Sequence, residues 1–266
     1  MATQVLGHGA VGQQIRQWRE RRRLSQMQLA LEADISPRHL SFIETGRSQP
    51  STGTIDRLAE RLEVPYRARN GMLTAAGFAP RHGERTLDDP AMAVARHSVE
   101  HILKGHEPYP AIAVDRHWNI VAMNEATSFF TEQIGSALLE PPVNAIKLAL
   151  HPDGLAPQVV NIDEWHAHVL EQLDQQIAAT ADEGLTALRE EVAAYPHESD
   201  YDPPPADPER IWIPLILDTT AGQLSFISTI TIFGTPVDIT LSELAIEAFF
   251  PADEKTADIL HKNWAR

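Results

Sequence analysis

Apolar residues fall at helical spacing through the first 80 residues and give way, after Pro110, to short apolar runs and strict alternation. In the first stretch Ile15 and Trp18 form the inward pair of a helix over 13–23, and Ser25 then stands as the N-cap of a second with Met27, Leu29, Ala30 and Ala33 at helical spacing. Ser36 with Pro37 at the first helical position starts a third helix that buries Leu40 and Ile43 and stops at Gly46. Ile55, Leu58, Ala59 and Leu62 mark a fourth helix in "STGTIDRLAERLEV", and "RARNGMLTAAG" supplies a fifth. Five short helices joined by small-residue turns predict an all-α bundle.

The segment "GFAPRHGERTLDD", residues 77–89, is rich in glycine, proline and charge and marks a domain boundary. Asp89 and Pro90 open a connecting helix with Ala91, Val94, Ala95, Ile102 and Leu103 as its apolar side. Beyond it "AIAVDRHWNIVAMN" reads as two strands joined at Arg116 to Trp118, after which Asn124 caps "EATSFF". Helices follow at "NAIKLAL", at "DEWHAHVLEQLDQQIAAT" with a Trp165, Val169, Leu173 and Ile177 stripe, and at "GLTALREEVAAY". "HESDYDPPPADPER" reads as a loop; strands "IWIPLIL" and "QLSFISTITIF" meet at the turn "DTTAG", and Thr240 with Glu243 makes a capping box that opens a helix through "SELAIEAFF" to Pro251. The predicted organisation is a helical domain over 1–80, a linker and connecting helix over 81–107, and an α+β domain with an antiparallel sheet over 108–266.

Charge separates the two halves. The net charge is −15, yet residues 1–85 carry 13 Lys and Arg against 8 Asp and Glu, while the remainder carries 9 against 29. The first part is compatible with a polyanion; the second repels one. With no cysteine there is neither a disulfide framework nor a thiolate metal site, which suits a reducing cytoplasm. The longest apolar runs are too short to cross a bilayer, so a soluble intracellular protein with no membrane partner is expected.

Two motifs invite an enzymatic reading. Gly7, Gly9 and Gly12 spell G-x-G-x-x-G, with Glu32 and Asp34 near the distance at which a dinucleotide fold holds its ribose. The helices that follow leave no room for a β-α-β unit, so these glycines are expected to form a flexible arm ahead of the first helix. His97, Glu100 and His101 match the H-x-x-E-H pattern of inverted zinc peptidases, which makes a metal-dependent hydrolase one alternative. No third ligand stands at a recognisable spacing, and exposed or dimer-interface histidines are the simpler expectation. No catalytic residue, metal or required cofactor is assigned.

The segment "LSQMQLALEADISPRHLSFIETGRSQPS" resembles the helix-turn-helix of the phage-repressor and xenobiotic-response-element family. The resemblance implies that Ala30 lets the second and third helices cross closely, that Ile35 fills the turn, and that Arg19 and Glu44 form a buried ion pair. Asp34 replaces a common turn glycine, a change that a residue tolerant of left-handed backbone accommodates. With Leu40 and Ile43 inward, a step of about 100° per residue turns Arg38, Phe42 and Thr45 outward, flanked by His39 and Ser41. The resemblance sends that face into the major groove, with Arg38, His39, Ser41 and Phe42 at base edges, while Gln26, Thr45 and Arg47 hold phosphates. Pro37 removes one possible base contact.

Strand-strand-helices-strand-strand is the order of a PAS domain. More closely, "YPAIAVDRHWNIVAMNEA", "HPDGLAPQVVNIDEW" and "ISTITIFGTPVDITLSELAIEAFFPADEKTADIL" are similar to the MmyB-like ligand-binding domain, which implies a PAS-like pocket for a small apolar ligand, with fatty acids the leading candidates. Apolar candidates for its lining are Trp118, Phe129, Phe130, Ile146, Leu150, Trp165, Val169 and Phe226; Arg116, His117 and His151 are the polar groups placed to meet a carboxylate head. Together these readings imply a transcription regulator of the bacterial nucleoid, a homodimer on a palindromic DNA operator, switched by ligand. The alternative keeps DNA binding but makes the second half a docking domain for a protein partner.

Overall fold

The computed structural model describes the backbone of residues 7–131, 134–197 and 211–264; the side chains of residues 8, 129 and 136, and most of the acidic proline-rich loop, lie outside the description. Contacts divide the chain after Glu84 into two compact units, with Val237–Ile239 grouped with the first.

The first unit is helical: α1 Gly7–Arg21, α2 Gln26–Glu32, α3 Pro37–Glu44, α4 Thr52–Arg61 and α5 Tyr66–Ala75. Ser25, Ser36 and Ser51 each accept a backbone N–H at a helix start, and Gln28 completes a capping box with Ser25. These caps fix where the helices begin, and the apolar stripes then fold inward around Val11, Ile15, Leu29, Leu40, Ile43, Leu58 and Leu62. The turn between α2 and α3 passes through Asp34 at φ 53°, the left-handed conformation expected of that position. Residues 81–84 stay with this unit. Asn70 accepts the N–H of Arg81 and of His82 and donates to the His82 carbonyl, while the His82 ring stacks on Tyr66.

The opening glycines are not an arm. α1 starts at Gly7, so Gly9 and Gly12 lie inside the helix. Gly12 is the point where α1 meets α3: a Cβ there would stand 2.1 Å from the Ile43 carbonyl oxygen and 3.1 Å from the Glu44 Cα. Contact with another helix, not a phosphate or a flexible hinge, explains this glycine.

In the second unit a single 3₁₀ turn, Pro90–Met92, capped by Asp89, leads into α6, Ala93–Gly105. Its buried face is Met92, Val99 and Leu103, whereas Val94 and Ile102 are exposed, contrary to the predicted stripe. Arg96, which donates to the Leu87 carbonyl, lies in the same row as Met92, Val99 and Leu103. α6 thereby packs on β1, Ala111–Val114, at Ala111 and Ala113, so the connecting helix belongs to the second unit. β2, Ile120–Met123, follows, then α7 Ser128–Thr131, α8 Ala145–Leu150, α9 Ile162–Thr180 and α10 Glu183–Ala193. β3 Leu215–Thr219 and β4 Gly222–Ile232 form the expected hairpin, with Thr219 opposite Gly222; the strand starts at Leu215 and not at Ile211. Asn124 precedes the next helical turn but does not cap it with its side chain: it accepts the Ala111 N–H and donates to the Leu103 and Tyr109 carbonyls, tying α6 to β1.

The largest departure is at "SELAIEAFF". The short α11, Ile239–Ser242, ends at the first residue of that segment, and Ala245–Pro251 is a strand, β5, followed by α12 Glu254–Trp264. The sheet runs β2-β1-β5-β4-β3, antiparallel throughout, with β5 at its centre. Ala245 to Ala248 pair with β1 on one edge, and Ala245 to Pro251 pair with β4 on the other. Two ladders outweigh the local helical propensity of Ala, Glu and Leu. Alternation then sends Ile246 and Ala248 toward α6, and Phe249 toward Phe130 and Phe226 in the larger core.

Gly12→Ala is expected to destabilise the helical unit by about 1–3 kcal/mol through overpacking against α3. Gly9→Ala, where a Cβ meets nothing within 4 Å, is expected to stabilise it by about 0.5–1 kcal/mol. Urea denaturation of both variants checks the pair, and equal effects would contradict the close approach.

Candidate nucleic-acid interface and ligand cavity

α3 is held from below by one ion pair. Arg19 Nε and Nη2 donate to the two Glu44 carboxylate oxygens at 2.7 and 2.9 Å, both side chains are buried, and Arg19 Nη1 donates to the Leu24 carbonyl at 2.9 Å. The Glu44 hydrogen bond raises the Arg19 pKa above its ordinary value. Gln26 joins this anchor: its Nε2 donates to Glu44 Oε2 at 2.7 Å. Sequence reasoning assigned Gln26 to a phosphate; the structure places its amide on the carboxylate that fixes α1 and α2 to α3.

Above the anchor, Leu40 and Ile43 are buried and Arg38 is exposed. Phe42 is flanked by two cations, with the Arg38 guanidinium carbon 5.3 Å and that of Arg47 6.0 Å from its ring centre. The ring offers each guanidinium a flat face and so limits its freedom. His39 and Ser41 are half-buried beside them. Thr45 is exposed, but its hydroxyl already donates to the Ser41 carbonyl at 2.7 Å. Four residues thus combine into one outward cationic surface, Arg38, Phe42 and Arg47 with His39 at its flank.

In the second unit a cavity of about 80 Å³ lies between the sheet and α7–α9. Trp118, Phe130, Ile146, Trp165 and Val169 line it, whereas Leu150 and Phe226 are buried in the same core without reaching the lining. The Phe129 side chain lies outside the described residues. The three groups expected to meet a carboxylate are elsewhere. Arg116 and His117 bind Asp182 at 3.2 and 3.0 Å, and Asp182 caps α10 by accepting the Gly184 and Leu185 N–H groups. Burial pushes the Asp182 carboxyl up, but hydrogen bonds from His117 and Gly184 and the charge of Arg116 outweigh it and hold the pKa below its ordinary value. His151 accepts the Asp153 N–H and meets Tyr195 edge-on. These contacts brace the β1–β2 turn and the end of α8.

Among the lining residues, the Glu247 carboxyl and the Trp165 indole donor are polar groups that the sequence does not single out. Glu247, on β5, is buried beside Ile112 and Ile230 in the neighbouring strands; burial pushes its carboxyl up to about 7 against a hydrogen bond from Ser228. Trp165 was read as apolar lining, yet its indole N–H is buried with no hydrogen-bond partner. An acidic residue inside the run "AIEAFF" was the available signal, but only a strand reading turns it inward. The Glu247 pKa in the folded protein lies above its unfolded value, so the stability it allows is complete below about pH 4.5 and lost as pH rises through about 7. Wild type is expected to lose about 3 kcal/mol across that window relative to Glu247→Gln, measured by chemical denaturation; parallel profiles would contradict the burial.

His97, Glu100 and His101 are exposed on α6, and among the described residues no three His, Asp or Glu side chains gather as metal ligands. No described helix is long and apolar enough to cross a membrane.

Residues 10–70 match a helix-turn-helix domain family, and residues 95–262, more than half of the chain, match the MmyB-like transcription regulator ligand binding domain. Over 68 residues, 25% of this chain, the sequence is 41% identical to the HTH-type transcriptional repressor RghR of Bacillus subtilis (strain 168), and over 67 residues it is 43% identical to the HTH-type transcriptional regulator RghRB of the same organism. The chain spans about half the length of these relatives, 48% and 46%. Two crystal structures of the clp gene regulator ClgR from Corynebacterium glutamicum are similar at 25% and 21% identity, covering 27% and 39% of this chain and 90% and 96% of theirs, each with a TM-score of 0.24. With the helical unit in front and the sheet-containing unit behind, this chain belongs to the family of regulators that carry an MmyB-like transcription regulator ligand binding domain.

Proposed function

We propose that the protein binds duplex DNA through α3 and that a small, largely apolar molecule in the cavity of the second unit controls that binding. The observation that carries the reading is the outward face of α3, on which Phe42 holds two guanidiniums while Leu40, Ile43 and the Arg19–Glu44 pair fix the helix from the other side. Arg38 suits the O6 and N7 of a guanine in the major groove, and Phe42 a thymine methyl. Arg47, just past the helix, suits a phosphate, which sets register and carries no sequence information.

One helix-turn-helix unit buries too little surface for tight specific binding, so a homodimer on a two-fold operator follows, with half-sites about one helical turn apart. A ligand acts on such a dimer only through unequal affinity for two of its arrangements, which shifts the spacing of the paired recognition helices. The strongly acidic second part keeps DNA contact confined to the first unit. The site of action is the bacterial nucleoid.

Arg38→Ala is expected to cost about 1–3 kcal/mol at one base position and to relax preference there, in fluorescence-anisotropy titrations with operator variants. Arg47→Ala is expected to weaken all sequences alike and to reduce the salt slope by about one. Equal loss on every sequence for Arg38→Ala would make it a phosphate contact, and no loss for either variant would remove α3 from the interface. Native mass spectrometry of the full chain is expected to give a dimer carrying a small molecule. A dimer without one, together with no thermal shift across a series of short apolar molecules both charged and neutral, would favour the partner-docking reading of the second unit.

A further inference from the structure

Resting on the reading of the cavity as a ligand site, we infer that it selects an uncharged, largely apolar molecule bearing an accepting oxygen, a carbonyl in the simplest case, recognised by the Trp165 indole N–H and the Glu247 carboxyl. The indole N–H is the first part of the argument. Trp165 is 5% exposed, lines the cavity and leaves its one donor without a partner, an arrangement that costs free energy until an acceptor enters. The second part is Glu247, the one ionisable side chain in the described lining, 8% exposed and enclosed by apolar neighbours.

Charge then decides the ligand class. No lysine, arginine or histidine lines the cavity among the described residues, and Arg116, His117 and His151 are engaged at Asp182, Asp153 and Tyr195. A carboxylate would therefore bring a negative charge into this largely apolar space with no cation to balance it, and would stand as a second such charge wherever Glu247 is ionised. An ammonium would pair with Glu247 but would set its own donors against the indole N–H. A neutral oxygen suits both groups, because the indole donates to one lone pair and the protonated carboxyl to the other.

The groups set against Glu247 do not titrate: Ile112 from β1 and Ile230 and Ser228 from β4, and the residues that α8 and α9 add to the lining, Ile146 and Gln172 among them, do not titrate either. Its protonation below about pH 7 is thus set by burial alone, apart from the Ser228 hydroxyl. The cavity of about 80 Å³ calls for short probes.

The test is a titration of the nitrogen-15-labelled full chain with 2-hexanone, hexanoate and hexylammonium at about pH 6, reading the indole resonance that Trp165→Phe removes. The ketone is expected to move that proton downfield and to bind about tenfold more tightly than either charged analogue, the scale of one hydrogen bond. Trp165→Phe is expected to lower ketone affinity about tenfold, whereas Glu247→Gln, whose amide still donates, is expected to keep it and to abolish its decline between about pH 6 and 8. Equal binding by hexanoate or hexylammonium, or an unmoved indole resonance in the presence of bound ketone, would overturn this inference and leave the ligand site standing. Failure of all three probes to bind wild type would overturn both.

Discussion

A strand hydrogen-bonded on both edges has its side chains committed to two faces, and β5 imposes that constraint on the whole second unit. Its pairing with β1 and β4 joins two hairpins that lie far apart in sequence into one sheet. One face of β5 supplies Ile246 and Ala248 to the cluster under α6; the other supplies Phe249 to the aromatic contact with Phe130 and Phe226 and puts Glu247 at the cavity. A slip of one residue would exchange these sets, carrying the carboxyl under α6 and leaving the cavity apolar. The one acid in the lining is therefore a consequence of register.

The helical unit is governed by a comparable closeness. α1 approaches the end of α3 at Gly12, and about two turns of α1 further on Arg19 reaches Glu44. A buried ion pair is weak evidence of net stability, but it is directional, and here Gln26 adds a third hydrogen bond to the same carboxylate. Three helices converge on Glu44, so the opposite face of α3, with Arg38 and Phe42, is presented in one orientation. Preorganisation of this kind lowers the ordering cost of binding a rigid duplex.

Much of this was legible in the sequence wherever the information is local. Serine caps, Pro37 at a first helical position and periodic apolar residues place α2, α3 and α4 within a residue or two, and Asp34 takes the left-handed turn its side chain permits. What is settled by distant partners was not. Gly12 reads as flexibility until α3 is known to lie against it, and "AIEAFF" reads as helix until β1 and β4 flank it. Misreading β5 hid Glu247, and treating Trp165 as purely apolar hid its donor. Arg116, His117 and His151 are the converse case: polar residues beside apolar strands look like ligand-binding groups, but Asp182, Asp153 and Tyr195 already engage them.

β5 delivers one carboxyl into a largely apolar cavity, and the titration midpoint of that carboxyl measures the delivery directly. Carbon-13 NMR of the full chain, with the Glu247 side-chain resonance assigned through Glu247→Gln, is expected to show a midpoint of about 7. A midpoint near the ordinary glutamate value of about 4.3 would mean that Glu247 faces water, and would contradict the register, the cavity and the ligand chemistry together.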